Sequence, residues 1–324
     1  LIQRTTPDTA WDEWLERAGR EADFLQTTSW ATIDGAANDA HSVVLRAESV
    51  GGLVSVSRET GGELRCFRGP VVREPLEAEE LHDFVSAAEA LAKERGCTSM
   101  QFVGRPVLSA VDPEWLATRL RRQGFSSTLW LTSVVDLDRS DTELLAAADR
   151  SVGKAVRRCE REGVSIRSCN DAQSFEGRFL RAFSESRPDF DPDRGRRAFA
   201  ADGGSHYRYW VAVGSNGEVL ATLGTYRFGG VATEIMSVRT RAGRESGSPA
   251  QDLLHWHAMR EHRAMGDSWF DLAGYAPTPA MRAEAGIKRF KQKWGGREIA
   301  TPTFAKSLEG RARRRARRLF AGLR

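Results

Sequence analysis

The 324-residue chain reads as an α+β protein made of two domains of one general kind. Its length exceeds what a single core ordinarily organises. Its apolar residues switch repeatedly between a period of 2 and a period of 3.6. Each half also shows hairpin strands, then a helix, then a further strand after a glycine, Gly96 in the first half and Gly266 in the second. An open mixed sheet with helices packed on it answers to that order in each half. We place the first domain at residues 1–138 and the second at 139–300.

Residues 7–20 form an amphipathic helix capped by Asp8 or Thr9, with Trp11, Trp14, Leu15 and Ala18 as its buried stripe. A short helix starts near Ala31. Strands 43–47 and 53–58 make a hairpin turning at Gly51-Gly52, and 64–68 continues the sheet. Residues 77–95 carry Leu81, Phe84, Val85, Ala88 and Leu91 at helical spacing. Strand 99–103, helix 113–123 and strand 129–136 follow.

The second half opens with helix 141–148. Then Lys154, Arg157, Arg158 and Arg161 recur at three- and four-residue steps, a basic helical face closed by Gly163. Strand 164–167 and helix 172–186 precede a polar segment, 187–197, whose two prolines read as a loop. A hairpin of 209–213 and 219–228 turns at Asn216-Gly217, and 233–238 extends it. Ser248-Pro249 opens a helix to about residue 265, and 269–272 is a short buried strand.

Apolar content of 40% and charged content of 28% describe an ordinary globular protein. No apolar run approaches the ~18 residues that span a bilayer, so the expected location is the cytoplasm. Cys66, Cys97, Cys159 and Cys169 lack metal-ligand spacing, and His255 and His257 are too close in sequence to share a helix face. No metal site is expected. Net charge is only +4, yet residues 311–324 hold seven Arg and no acid. That tail suits a phosphate backbone, an anionic membrane surface at which the protein is peripheral, or plain solvent.

The most informative stretch is 285–296, AGIKRFKQKWGG, where Lys288, Arg289, Lys291 and Lys293 stand among Ile287, Phe290 and Trp294. Helical spacing puts the three apolar residues on one stripe with Lys291 beside Phe290. One reading is a surface helix with solvated lysines. The other is a poorly solvated cation that binds a phosphate or a developing oxyanion.

Across nearly its whole length the chain resembles the Fem family of aminoacyl-tRNA-dependent peptidyltransferases. The marks are Phe24-Leu25-Gln26 with Trp30, Arg68-Gly69-Pro70-Val71, Arg157-Arg158 with Gly163-Val164, Phe270-Asp271-Leu272 with Gly274, and Gly286-Ile287-Lys288-Arg289-Phe290-Lys291. The resemblance implies two acetyltransferase-like (GNAT-like) domains in a compact form without the long helical arm, the first completed by residues 301–324. It places Phe290 and Lys291 in the aminoacyl-transfer site. It makes Lys154, Arg157, Arg158, Lys288, Arg289 and Lys293 contacts to tRNA. Gln26, Trp30, Arg68, Arg105, Arg187 and Arg194 fall to the acceptor, a small peptide or a muropeptide. No cofactor is called for beyond aminoacyl-tRNA as co-substrate. Two departures stand out: no lysine follows Trp30, and Phe102 leads to Val103-Gly104-Arg105 without an acid. The first weakens a nucleotide-linked acceptor and favours a peptide or peptidyl-nucleoside. The rivals are an acyl-CoA-dependent N-acyltransferase, whose phosphate loop Arg244-Glu245-Ser246-Gly247-Ser248-Pro249 imitates in part, and a non-catalytic binder of tRNA or cell-wall precursors.

Overall fold

The computed structural model describes residues 1–19, 22–57, 62–73, 77–104 and 113–309. Two compact units are present, Leu1–Leu129 with the segment from Thr301, and Trp130–Ala300. The boundary falls inside the strand Ser126–Asp136, whereas the sequence reading put it just after that strand.

The first unit runs β1 (Gln3–Thr5), α1 (Thr9–Ala18), α2 (Thr28–Asn38), β2 (Ala40–Arg46), β3 (Val50–Ser57), β4 (Glu63–Phe67), β5 (Val71–Val72), α3 (Ala78–Glu94), β6 (Ser99–Val103) and α4 (Pro113–Arg122). Strands β1 to β4 pair antiparallel in order, and β4 runs parallel to β6. Residues Thr303–Ser307 join the far side of β6 antiparallel. Helix α3 buries Leu81, Phe84 and Ala88 with Leu64, Met100, Phe102 and Phe304 in one core. Asp8 starts α1 by accepting from the Trp11 amide at 3.0 Å.

One expectation fails here. Gly51 and Gly52 lie inside β3, opposite Arg46 and Leu45, and not at the hairpin turn. Their role is clearance. A Cβ on Gly51 would meet the Trp11 ring at 2.9 Å, and one on Gly52 would meet Cys66 Sγ and Phe84 at 2.9 Å. Large aromatics against the sheet require bare backbone beneath them.

The second unit takes β7 (Ser126–Asp136) from Trp130 onward, then α5 (Asp141–Ala147), α6 (Arg150–Arg161), β8 (Ser165–Ser168) and α7 (Ala172–Ser174). A π-helical turn, Phe175–Leu180, joins α7 to α8 (Arg181–Ser186). After these come α9 (Pro192–Asp202), β9 (Tyr207–Val213), β10 (Val219–Phe228), β11 (Val231–Arg239), α10 (Arg241–Glu245), α11 (Ala250–Ala264), β12 (Trp269–Tyr275), α12 (Arg282–Gln292) and, as far as Ala300, β13 (Arg297–Ser307). Strands β8 to β11 pair antiparallel in order; β12 lies parallel to β11 and antiparallel to β7. On one face α6 and α11 bury Val152, Val156, Leu254 and Met259 with Trp210, Leu223 and Phe270. Neighbouring strand residues face oppositely, so Tyr209 meets Phe175, Phe179 and Phe199 on the other face.

The expected loop at 187–197 is partly helix. Asp191 accepts from the Asp193 amide at 2.9 Å, Pro192 fills the first helical position, and α9 runs on to Asp202. Gly195 is buried there against Leu180 and Phe190. Among the described residues no helix is long and apolar enough to cross a membrane.

Candidate active site

The site grows from the junction of β11 and β12. Their parallel pairing covers three positions and ends at Thr233 opposite Asp271. Just beyond, β12 slips its register against β7 between Asp271 and Gly274. The slip is held by side chains. Asp271 Oδ1 accepts from the Ala273 amide at 2.8 Å and from the Thr132 hydroxyl, whose oxygen is also 2.8 Å from the Ala273 carbonyl. Ala273 adopts φ 60°, a left-handed conformation uncommon for a residue with a side chain.

Lys291 reaches this bulge from α12. Its side chain is buried, with the residue only 7% exposed, and Nζ donates to the Gly274 carbonyl at 3.2 Å. An ammonium has three N–H groups; this is the one protein acceptor it finds among the described residues. The sequence stripe is thus corrected. Lys291 and Trp294 turn inward, while Ile287 is 49% exposed. Phe290 packs edge-on to the His255 ring at 4.9 Å and to Trp294 at 6.5 Å. Gly295 ends the helix where its backbone passes the Ala147 carbonyl. A Cβ there would lie 2.1 Å from that oxygen, at φ 68°.

Behind Phe290 sits a buried polar chain that the sequence reading missed. His255 is fully buried. Its Nδ1 lies 2.8 Å from the Gln251 carbonyl and its Nε2 lies 3.1 Å from Glu234 Oε2. A carbonyl only accepts, so Nδ1 carries a hydrogen. The contact to Glu234 then needs a second proton, held between imidazole and carboxylate. Burial pushes the Glu234 carboxyl up, but His255, the charge of Lys291 and a hydrogen bond from Ser237 outweigh it and hold the group below the usual carboxylate range. Glu234 keeps 10% of its side-chain surface exposed, whereas the His255 side chain has none. Gln251 donates to Ser237 Oγ at 2.8 Å and leaves its own buried Oε1 without a partner. One signal could have found Glu234, a lone acid in a strand whose other residues, up to the final Arg239, are apolar or hydroxyl.

The other expected residues separate into groups. Lys288 donates to the Pro277 carbonyl at 2.7 Å. Lys293 is ion-paired to Asp252 and lies 4.3 Å from the centre of the Phe290 ring. Arg289 is exposed. On α6, Lys154, Arg157 and Arg161 are exposed, and Arg158 is tied to Glu162 at 2.7 Å. In the first unit Gln26 is fully buried, and its carboxamide is taken up by the Leu53 amide at 2.7 Å and the Phe67 carbonyl. It shapes the fold and has no group left for a ligand. Trp30 packs edge-on to Phe24 and Phe67. Arg68 adopts φ 55° with Nε 4.0 Å from Asp23. Arg187 pairs with Asp189 at 2.9 Å and Arg194 is exposed on α9; neither bonds to Lys291 or Glu234. Arg105 and the tail 311–324 lie outside the described residues. Among the described residues no cluster of three or more His, Cys, Asp or Glu could hold a metal.

No protein-family model matches the chain, and no curated protein matches it in sequence. Solved structures do match. FemX aligns at a TM-score of 0.73 and 13% identity over 94% of this chain and 97% of its own. A tandem GNAT protein from the clavulanic acid biosynthesis pathway aligns at 0.63 and 15% identity, over 96% of this chain and 99% of its own. L-PGS from Bacillus licheniformis aligns at 0.57 and 13% identity, over 95% and 94%. The fold is therefore a pair of GNAT-like domains. Within that class it is a Fem-like tandem GNAT fold.

Proposed function

We propose that this protein is an aminoacyltransferase that moves an amino acid from aminoacyl-tRNA to the amine of a small peptide acceptor, with no cofactor. The acceptor is a peptide or peptidyl-nucleoside, or a peptidoglycan stem peptide. The observation that carries the reading is Lys291, a buried ammonium with two N–H groups unfilled, whose charge acts on the Glu234 carboxylate. The resemblance to the Fem family, drawn from the Phe290-Lys291 motif, agrees with it.

The chemistry follows from those positions. The acceptor amine attacks the ester carbonyl, forming a C–N bond while the carbonyl oxygen takes up negative charge. Lys291 meets that charge with hydrogen bonds that cost no reorganisation. Glu234, backed by His255, takes a proton from the attacking nitrogen. As the C–O bond breaks, the proton passes to the departing ribose oxygen. The ester is already activated, so positioning supplies most of the remainder. Trp130, 42% exposed and close over Gly274, offers an aromatic face for the terminal base. Lys154, Arg157 and Arg289 carry the tRNA phosphates. Arg68 is the acceptor-side group of the first unit.

The acyl-CoA reading loses ground on one observation. A pyrophosphate loop needs free backbone amides. Here the amides of Arg244, Ser246, Gly247 and Ser248 already donate, to Thr240, Ala242, Arg244 and Ser246, and Pro249 has none. The deciding experiment offers radiolabelled aminoacyl-tRNA, with a panel of charged tRNAs, to peptide, peptidyl-nucleoside and muropeptide amines. Label moving to an acceptor supports the proposal. Label staying on tRNA while acetyl-CoA is consumed refutes it.

A further inference from the structure

The second unit carries a concavity of about 960 Å³ at the opposite end of β11 from Glu234. Four arginines line it: Arg167 from the edge strand β8, Arg178 from the π-helical turn, Arg181 from α8 and Arg241 from α10. Three acids share the wall, and each is already engaged. Glu185 is held by Arg181 at 3.0 Å, Glu245 by Arg241 at 2.6 Å, and Glu218 by the Asn216 amide at 2.7 Å. Asn216 is neutral and leaves the charge of Glu218 in place, so the lining keeps one net positive charge, with Arg167 and Arg178 both exposed and with no side-chain hydrogen bond or ion pair among the described residues. Two guanidiniums free of a bonded partner across one polar cavity suit an anion with spaced charges, and guanidinium matches phosphate geometry.

The fold fixes this pair. Phe175 and Phe179 point into the aromatic cluster under the sheet, their rings stacked at 5.6 Å. The wider π turn that they anchor leaves Arg178 on the outer side, toward the cleft. A π turn inside a helix is rare and frequently marks a functional site. Thr240, six positions beyond Glu234 on the chain, also lines the cleft, about 20 Å away along the strand direction; the cleft opens on the face of the sheet that carries the π turn, and Glu234 faces α11 on the other. A nucleic-acid strand joining the two passes round the end of the sheet, and at ~3.4 Å per stacked nucleotide the separation along the strands alone takes roughly six nucleotides.

We infer that the Arg167–Arg178 cleft grips the phosphodiester backbone of the donor tRNA upstream of its 3′ end. This inference rests on the proposed function and locates where its donor is held. The cleft would place the ester without touching it, so Arg167 and Arg178 are positioning residues.

The test compares the full-length wild type with the double variant Arg167→Glu/Arg178→Glu and the milder Arg167→Ala/Arg178→Ala. Two donors are used, bulk charged tRNA and the aminoacyl ester of adenosine, which lacks every upstream phosphate. The alanine variant should bind uncharged bulk tRNA about tenfold more weakly in low salt. Its salt slope should flatten by between one and two, as expected from ~0.7–0.9 for each phosphate that is no longer neutralised. Turnover of the adenosine ester should be unchanged, with an unchanged melting curve. Equal tRNA affinity and equal slope in variant and wild type would overturn the cleft while transfer by the wild type stood. Equal loss with both donors would also overturn it, because the arginines would then act at the centre. A wild type that binds tRNA through these arginines yet transfers nothing would remove the proposed function and keep the cleft. A wild type that does not bind tRNA removes both.

Discussion

Glu234 lies 3.1 Å from the buried Nε2 of His255, and that imidazole is anchored on its far side by the Gln251 carbonyl. The pair therefore holds one proton between two heavy atoms, next to Phe290 and within the field of Lys291. Replacing Glu234 with Gln keeps a hydrogen-bond partner at Nε2 and removes the proton acceptor. Transfer should fall by about 10²–10⁴, the usual contribution of a general base. What remains should rise with pH as the acceptor amine loses its own proton. A rate–pH profile that superposes on the wild type would end this assignment.

The same carboxylate makes a prediction about acid. Its ionisation is held below the ordinary carboxylate value, so its stabilising contribution is complete above that value. It is lost as pH falls through the lowered one. Wild type and Glu234→Gln should therefore differ in melting temperature near neutrality and converge below about pH 4. Parallel curves across that range would show that the ion pair contributes nothing.

Lys291→Met removes the ammonium and keeps much of the stem. The chemical step should slow by about 10²–10³, with little change in the Michaelis constant for tRNA. Single-turnover kinetics read the step directly. A normal rate from a folded variant would assign the oxyanion to another group.

On α6, Lys154→Glu with Arg157→Glu should raise the Michaelis constant for tRNA and flatten its salt dependence. Arg158→Glu should do less, since that guanidinium is already bound to Glu162. Equal effects of the three changes would mean that this face acts by bulk charge and not by placed contacts.

Away from the site, buried His262 bridges Asp267 at 2.9 Å and the Thr225 hydroxyl at 2.8 Å. Burial lowers its ionisation more than Asp267 raises it, so the folded ring is neutral. Its contribution is present above the ordinary imidazole value near 6.5 and declines as pH drops below it. Thr225→Val leaves Nε2 unpaired and should cost about 1–3 kcal/mol, read from urea unfolding at pH 7. A smaller change would mean that the site relaxes around the missing hydroxyl.

Sequence reasoning reached the elements whose logic is local. The basic stripe of α6 follows from three- and four-residue steps, and α3 from its apolar period. The position of Phe290 and Lys291 came from a motif. Clearance was not readable. Gly51-Gly52 has the composition of a turn, but its purpose lies in Trp11 and Phe84, distant in sequence. Nor was the α9 start weighed correctly, where an Asp-Pro pair within a polar run is a helix cap. Glu234 and His255 escaped because their meaning is a pairing between strand and helix, which neither local sequence contains. Ile287 went wrong for a related reason: α12 packs by its cation, and periodicity assigns the inward face to apolar residues.

The slip in β12 has a consequence that concerns length more than identity. Between Asp271 and Gly274 this strand advances three residues while β7 advances two, from Val134 to Thr132. Side chains alternate strictly along a strand, so one surplus residue inverts inside and outside for all that follows. Deleting Ala273 would cancel the surplus, present Gly274 with opposite parity, and turn its carbonyl away from Lys291. Substitutions at 273 change a side chain. A deletion there would shift the frame in which the site is written.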